Sequence, residues 1–364
     1  LLKRYTLDVG HRITGVTEDE FTSAAESFAK ARRRMVSLSI GISENTKGLD
    51  TVLAAANLVM LLGDGPEALQ IPAEYSNTFG LYVMGIRPDA GPGYSPLKAG
   101  KGMVEMLYEP HSLKALYIMG EDPVVTFPDS AKVIGRLKTL ELLIVQDIAL
   151  TDTAKLAHVV LPASSWAEKE GTFMNAEGIT QQVRKVLDAT GQSLPDWQII
   201  RNLAWTMEKD IGIRGIEDIS REVTPLLVSS SVSSEKRVLN PVRYTPGEEP
   251  DAEYPLTMVV RDTLHHSGSM STRSKSLDFV ASEALLEINE ENAERLGILD
   301  NSYVRVISKR GSTVYLKAKV TDAITEGIVS VPTHFPHCRV NALTHLSHNG
   351  GISIDTVRVE PVKI

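Results

Sequence analysis

The sequence predicts an α/β protein with a mainly parallel sheet, followed by a smaller β-rich domain that closes as a barrel. Three observations carry this. Between Leu116 and Gln181 two short apolar runs, LYIM and LLIV, each stop at a polar or glycine-containing turn and are separated by a helix-like segment, as buried parallel strands do. The alternation continues through a third run, Val159–Leu161, which implies βαβ units. Beyond residue 251 the pattern changes to closely spaced short strands with turn signals between them. In open α/β sheets the loops after the strands are where nucleotide-like ligands bind.

In chain order, Thr17 and Glu20 form a capping box that opens a helix with Phe21, Ala24, Ala25 and Phe28 on one face. Met35–Ile40 reads as a short strand. Leu49–Leu62 reads as a helix that Gly63–Gly65 stops, and residues 64–100, rich in Gly and Pro, read as a long ordered loop. Strands are expected at Ala115–Met119, Leu142–Val145 and Val159–Leu161, with helices between them and near Thr151–Leu156. Pro195–Met207 reads as a closing helix. Residues 211–251, polar and rich in Ser, Pro and Glu, read as a linker. Five further strands follow at Leu256–Val260, Leu285–Ile288, Tyr303–Ser308, Val314–Val320 and Ile328–Pro332, with a helix Glu290–Leu296 closed by Gly297.

Composition sets the class. The 364 residues are 42% hydrophobic and 23% charged, ordinary for a globular chain with room for two cores. A net charge of −8 leaves no broad basic footprint for nucleic acid. The basic run Arg32–Arg34 reads as a solvated helix end. No apolar run is long enough to span a bilayer, so no membrane insertion is expected. Cys338 is the single cysteine, which excludes an internal disulfide and any iron–sulfur cluster held by cysteines of this chain alone. A reducing, cytoplasmic setting is the expectation, with contact to a membrane only through partner subunits. The chain opens Leu1–Leu2 without Met, so an N-terminal portion is expected to be missing or to lie on another chain.

Five places could carry chemistry. Gly120-Glu121-Asp122-Pro123 follows a strand directly, where glycine lets a ligand approach the backbone. Asp147 ends the next strand and could accept from a ribose diol or a guanine edge, or simply be a turn residue. Thr151, Asp152 and Thr153 open a helix whose free N–H groups favour an anion; the plainer reading of Thr151 is an N-cap. Ser164–Gly178 carries Glu168, Glu170, Gly171, Thr172, Asn175 and Glu177 in a non-periodic run suited to a solvated or backbone-binding loop. The run from His265 to Ser274, with His266, Gly268, Met270, Thr272 and Arg273, is dense in donors suited to phosphate or a polar heterocycle. Adjacent histidines on a strand point to opposite faces, and His334, His337, Cys338, His345 and His348 match no usual structural zinc spacing.

With these residues in view, the chain resembles the molybdopterin oxidoreductases, and within them the C-terminal half of formate dehydrogenase α subunits. The pieces that carry the resemblance are SNTFGLYVMGIRPDAGPGY (76–94), YIMGEDP (117–123), IVQDIALTDTAKLAHVVLPASSWAEKEGTF (144–173), EINEENAERLGILDNSYVRVISKRG (287–311) and VTDAITEGIVSVPTHF (320–335), in order. VNALT (340–344) and VRVEP (357–361) also fit. The resemblance implies a three-layer, dinucleotide-binding α/β domain over 20–210 and a double-psi β-barrel over 252–364, with 1–19 the tail of a preceding domain and 211–251 a linker. It implies molybdenum or tungsten held by pterin guanine dinucleotides for formate and carbon dioxide redox chemistry. Gly120, Glu121, Asp122, Asp147, Thr151, Asp152, Thr153, Glu168 and Gly171 would cradle one guanosine diphosphate arm. His266, Gly268, Met270, Thr272, Arg273, His334 and Asn341 would line the pterin side. The implied partners are a region or chain bearing the iron–sulfur clusters and the metal ligand, and electron-transfer subunits.

The chain also departs from the family pattern. The family's Arg-Gly-Gln-Asn-Asn run is matched here by Ala73-Glu74-Tyr75-Ser76-Asn77, and alanine cannot hold a carboxylate as guanidinium does. A Lys-Tyr-Cys-Ala run before VRVE is replaced by Ser353-Ile354-Asp355-Thr356, and the histidine run is about two residues short. These departures define an alternative: a cofactor-free scaffold or electron-transfer subunit, similar to the large iron–sulfur subunit of NADH:quinone oxidoreductases or of electron-bifurcating complexes. No catalytic residue is assigned within the chain.

Overall fold

The computed structural model describes residues 4–43, 46–73, 75–109, 113–228, 238–266, 268–346 and 355–362. The chain divides into two compact units, Leu1–Tyr75 with Val232–Gly247, and Ser76–Ser231 with Glu248–Ile364. In the first unit the Thr17–Glu20 capping box forms and opens the helix Glu18–Lys30. Strands β1 (Val36–Ser37) and β2 (Leu69–Gln70) pair in parallel around the helix Gly48–Leu61. The expected solvated end at Arg34 is instead a tie. Its guanidinium pairs with Asp64 at 2.6 and 3.1 Å and donates to the Leu62 carbonyl, which binds the end of one helix to the end of the next.

Two further expectations are corrected. Residues 64–100 contain β2 and the helix Thr78–Val83, so this stretch is not one long loop. Within 211–251 lies the helix Ile216–Val228, capped by Asp218 accepting from the Arg214 and Gly215 N–H groups. Past it, Asn240 exchanges two hydrogen bonds with Asn57, and the Tyr244 N–H donates to the Tyr5 hydroxyl, so this stretch is part of the first unit.

In the second unit β3 (Ala115–Met119), β4 (Leu142–Asp147) and β5 (Val159–Pro162) form a parallel sheet in the order β3-β4-β5. Leu143 and Val145 of β4 are fully buried with Leu107, Val133 and Leu137 of two covering helices, Met103–Tyr108 and Ser130–Leu137. The polar run after β5 is a hairpin, β6 (Gly171–Met174) against β7 (Thr180–Val183). Asn175 Oδ1 turns it by accepting from the Glu177 and Ile179 N–H groups, and Asn77 Oδ1 holds the end of β6 next to that turn by accepting from the Met174 N–H.

β8 (Leu256–Arg261), β9 (Leu285–Ile288), β10 (Tyr303–Ser308), β11 (Thr313–Val320), β12 (Ile328–Pro332) and β13 (Asp355–Pro361) close a barrel in the order β10-β11-β9-β12-β8-β13. The expected strands are present, and Asp355–Pro361 adds one. β9 with β11 and β8 with β12 run parallel, and the remaining pairs antiparallel. Alternate residues point inward, so Leu256, Leu286, Ile288, Val304, Val306, Val329, Val331 and Val357 are fully buried together. Each such side chain contributes about 1.5–3 kcal/mol. Gly311 and Gly327, both with positive φ, make the turns that admit β11 and β12.

Candidate functional site

The parallel sheet brings the first group of candidates to one place, the carboxyl ends of β3, β4 and β5. Gly120 follows β3 with φ +65°, its N–H donating to the Gln146 carbonyl, and a side chain there would meet only open space. Asp147 ends β4, half-buried, with Oδ1 accepting from the Ile148 N–H at 2.6 Å. Burial raises its carboxyl above the ordinary range, and the negative charge of Asp122 adds to this. Arg273, reaching from the barrel, opposes it. Past β5, the Ser164 hydroxyl is fully buried and has no hydrogen-bond partner among the described residues. The sequence did not single out Ser164; its place two residues past the strand end was the available signal.

Asp122 has a different task from the one its position suggests. Its buried carboxylate accepts from the Thr153 N–H at 2.9 Å and hydroxyl at 2.6 Å, and from the Asp152 N–H at 3.3 Å. The Thr153 hydroxyl in turn accepts from the Val124 N–H. Thr151 is buried and caps the Ala154 N–H. The Asp152 and Thr153 donors that could receive an anion are therefore already engaged by a resident carboxylate, and the Thr151 N–H donates to the Ala149 carbonyl. Glu121 accepts from the Thr126 hydroxyl, and Asp152 pairs with Lys155.

Glu168 is likewise a clamp. It accepts from the Ser165 N–H at 2.7 Å and from the Thr190 N–H and hydroxyl at 3.0 and 2.8 Å, which lowers its carboxyl to about 2. A depressed acid contributes stability that is present above its unfolded value, about 4.3, and is lost as pH falls through the folded one. Glu168→Gln should lower the melting temperature at neutral pH, and the gap to the parent should close towards about pH 2. An unchanged gap in thermal melts across that window would remove the clamp. Gly171 opens β6 beside open space.

The barrel-side candidates fall into two groups. His266 and His334 are buried with ring centroids 5.5 Å apart, and Phe335 packs edge-on against His266. His266 Nε2 lies 2.7 Å from the Ala281 carbonyl. His334 Nδ1 lies 3.4 Å from Asp262 but makes no hydrogen bond among the described residues, and burial lowers its pKa, keeping it neutral. Gly268, Met270, Thr272 and Arg273 form the exposed turn beside them, with the Thr272 hydroxyl donating to the Ser269 carbonyl. Asn341 is buried and faces the α/β part. Its amide donates to the Val125 and Thr126 carbonyls at 2.8 and 3.1 Å, and its own carbonyl accepts from the Asp129 N–H. Glu74, His348, Ser353 and Ile354 lie outside the described residues. Burial pushes the Cys338 thiol up to about 11, leaving it protonated.

The strand ends offer groups that suit a polar heterocycle: a half-buried acceptor at Asp147 on β4, an orphan hydroxyl at Ser164 after β5 and exposed backbone at Gly120 after β3. A diphosphate does not fit the Asp152 and Thr153 donors as they stand, because a carboxylate holds them. Exposed cations flank the crevice: Lys155 and Arg339 lie 2.7 and 3.6 Å from Asp152, and Arg273 acts on Asp147 from the barrel.

This arrangement of sheet-end crevice and barrel defines a class. The sequence profile described as Molybdopterin oxidoreductase matches residues 22–205, and that described as Molydopterin dinucleotide binding domain matches 256–353. The chain belongs to the molybdopterin oxidoreductase family. Among relatives, it is 32% identical to the F420-dependent formate dehydrogenase subunit alpha of Methanocaldococcus jannaschii, over 100% of this chain and 63% of that protein. It is 32% identical to the NADPH-Fe(3+) oxidoreductase subunit alpha of Geobacter sulfurreducens, over 94% of this chain and 44% of that one. Formate dehydrogenase H of Escherichia coli is 28% identical over 90% of this chain and 55% of its own length. The chain thus matches the C-terminal part of formate-dehydrogenase-like subunits and spans less than two thirds of their length. Acetylene hydratase from Pelobacter acetylenicus shares the fold, with a TM-score of 0.80 at 16% identity, covering 99% of this chain and 65% of that structure.

Proposed function

We propose that the chain is the cofactor-holding C-terminal part of a molybdopterin oxidoreductase subunit acting in formate and carbon dioxide redox chemistry. The α/β domain over 20–210 and a double-psi barrel over 252–364 would take the two sides of one pterin guanine dinucleotide. The observation that carries the reading is Asp147 at the strand end with Arg273 of the barrel acting on its carboxyl, beside a neighbouring strand end whose Ser164 hydroxyl has no partner among the described residues. Asp147 accepts from the guanine or ribose, Ser164 gives its free hydroxyl to the same ligand, and Gly120 allows the close approach. Arg273 supplies positive charge for a phosphate, and His266 and His334 present a buried ring pair to the pterin side. When bound, the metallated pterin supplies the two-electron chemistry. The metal ligand and the electron exit through iron–sulfur and other electron-transfer subunits come from outside the sequence in hand.

Elemental molybdenum and tungsten, with acid-released pterin fluorescence, measured on the native assembly test this. Near-stoichiometric metal and pterin are expected. Asp147→Ala removes hydrogen bonds to a charged acceptor worth about 1.5–3 kcal/mol, so pterin should be held about 10–100-fold more weakly while the melting temperature is kept. Undiminished pterin in that variant would count against the assigned role.

The second reading, a cofactor-free scaffold within an electron-transfer complex, is favoured by Ala73 and by the capture of the Asp152 and Thr153 donors by Asp122. An intact native assembly free of metal and pterin would establish it. Among the described residues no helix is long and apolar enough to cross a membrane.

A further inference from the structure

Residues 248–254, Glu-Glu-Pro-Asp-Ala-Glu-Tyr, re-enter the second unit and lead on to β8. Charge fastens this segment to the barrel. Glu248 pairs with Arg310 at 2.7 Å, Asp251 with Lys309 at 2.7 Å and Glu253 with Arg358 at 3.4 Å. The acids all belong to the segment and the cations all belong to the barrel, two in the turn between β10 and β11 and one on β13. Glu248 also accepts from the Thr356 N–H, and the Arg358 guanidinium lies 5.7 Å from the centre of the Tyr254 ring. Among the described residues no backbone group of 248–254 bonds to the barrel. The segment's own backbone closes a turn, with the Asp251 N–H donating to the Tyr254 carbonyl and Asp251 Oδ1 accepting from the Glu253 and Tyr254 N–H groups. No side chain before Tyr254 is large and apolar, so packing adds little to the attachment. All three ion pairs are partly open to solvent, and such pairs are individually weak and screened by salt. A segment held in this way opens locally at far lower cost than the paired and packed strands beside it. Arg310 carries the attachment inward: the guanidinium that holds Glu248 also pairs with the fully buried carboxylate of Asp355, whose second oxygen has no partner among the described residues.

We propose that residues 248–254 form an ionic strap, closed on Lys309, Arg310 and Arg358 at low salt and released as one unit at high salt. Release frees Arg310 from Glu248 and opens a path for water to the Asp355 carboxylate. Ionic strength thereby sets the hydration of this buried acid. The strap uses only side chains of the second unit, and it stands whether or not a pterin is bound.

Hydrogen–deuterium exchange of the native assembly, read by mass spectrometry at about 0.05 M and about 0.5 M sodium chloride, tests the strap. At the higher salt the peptide spanning 248–255 should exchange about 10-fold faster, the combined effect of screening three exposed pairs. The Thr356 N–H, whose acceptor is Glu248, should speed up with it. Peptides from β9 and β12 should keep their rates. The triple variant Glu248→Gln, Asp251→Asn, Glu253→Gln should exchange fast over 248–255 at both salts and no longer respond to salt. Lys309→Glu alters a half-exposed barrel side chain and leaves the segment's own sequence intact; it should speed exchange of the same peptide at low salt. Exchange over 248–255 that ignores salt in the parent assembly overturns the proposal. So does exchange that speeds up only in step with β9 and β12, or a salt response that survives in the triple variant.

Discussion

Arg310→Ala is expected to destabilise the chain by about 3–5 kcal/mol at neutral pH, the typical effect of stranding a buried charge. The expectation comes from Asp355, which is fully buried at the start of β13. One carboxylate oxygen pairs with the Arg310 guanidinium and with His345 Nδ1, the latter at 2.7 Å, and the other has no partner among the described residues. Arg310 also donates to His345 Nε2 at 3.0 Å and pairs with Glu248 at 2.7 Å. Because arginine only donates, Nε2 is the accepting nitrogen and Nδ1–H faces the acid. Glu248 closes the ring of contacts by accepting from the Thr356 N–H.

The pH dependence follows from the direction of the shift. Burial raises the Asp355 carboxyl in the folded chain, and Arg310 and His345 oppose it. A raised acid contributes stability that is fully present below its unfolded value and lost as pH rises through the folded one. Removing Arg310 raises the folded value further, so the deficit of the variant should be largest at neutral pH and shrink on acidification. Urea melts of parent and variant across the acid limb would show it. A pH-independent deficit would mean that packing of the arginine stem, not its charge, is what was lost.

Asp122→Ala should lower stability by about 3–5 kcal/mol, because it leaves the Thr153 N–H and hydroxyl and the Asp152 N–H without their acceptor. Asp122→Asn keeps an acceptor but loses the charge, and should cost roughly half as much. Denaturant midpoints of the two variants decide it. A loss below about 1 kcal/mol for alanine would mean that water replaces the carboxylate, and that the strand-end loop is open enough to admit a ligand phosphate.

The contrast between Asp122 and Asp147 shows what sequence reading reaches. Both were visible as acids following strands, because LYIM and LLIV are apolar runs cut off by turns. That one acid binds the loop of the other strand depends on Thr153 lying across the crevice, a contact between positions distant in sequence. Arg34 was misjudged for the same reason, its partner Asp64 lying on another element, and the bonds from Asn341 to Val125 and Thr126 were hidden in the same way. Five of the six barrel strands were legible from alternation, down to the Gly311 and Gly327 turns, and Asp355–Pro361 was not. The hairpin β6–β7 was not, because Thr180–Val183 is polar and largely exposed and so leaves no apolar signal. The helix Ile216–Val228 was hidden by Pro225 and by its polar surroundings, although Ile216, Ile219 and Val223 mark one face.

The barrel's strand order has a consequence for synthesis. β13 lies between β8 and β10 in the ring, pairing Val357 with Leu256 and Val359 with Val306, although β8 and β10 are made far earlier. As the chain leaves the ribosome from its N-terminus, those two strands present open backbone edges until residue 361 is free to join them. Ring closure must then bring together segments distant along the chain, which is intrinsically slow. The nascent barrel is therefore most vulnerable to strand-to-strand association with neighbouring chains just before synthesis of its last strand is complete.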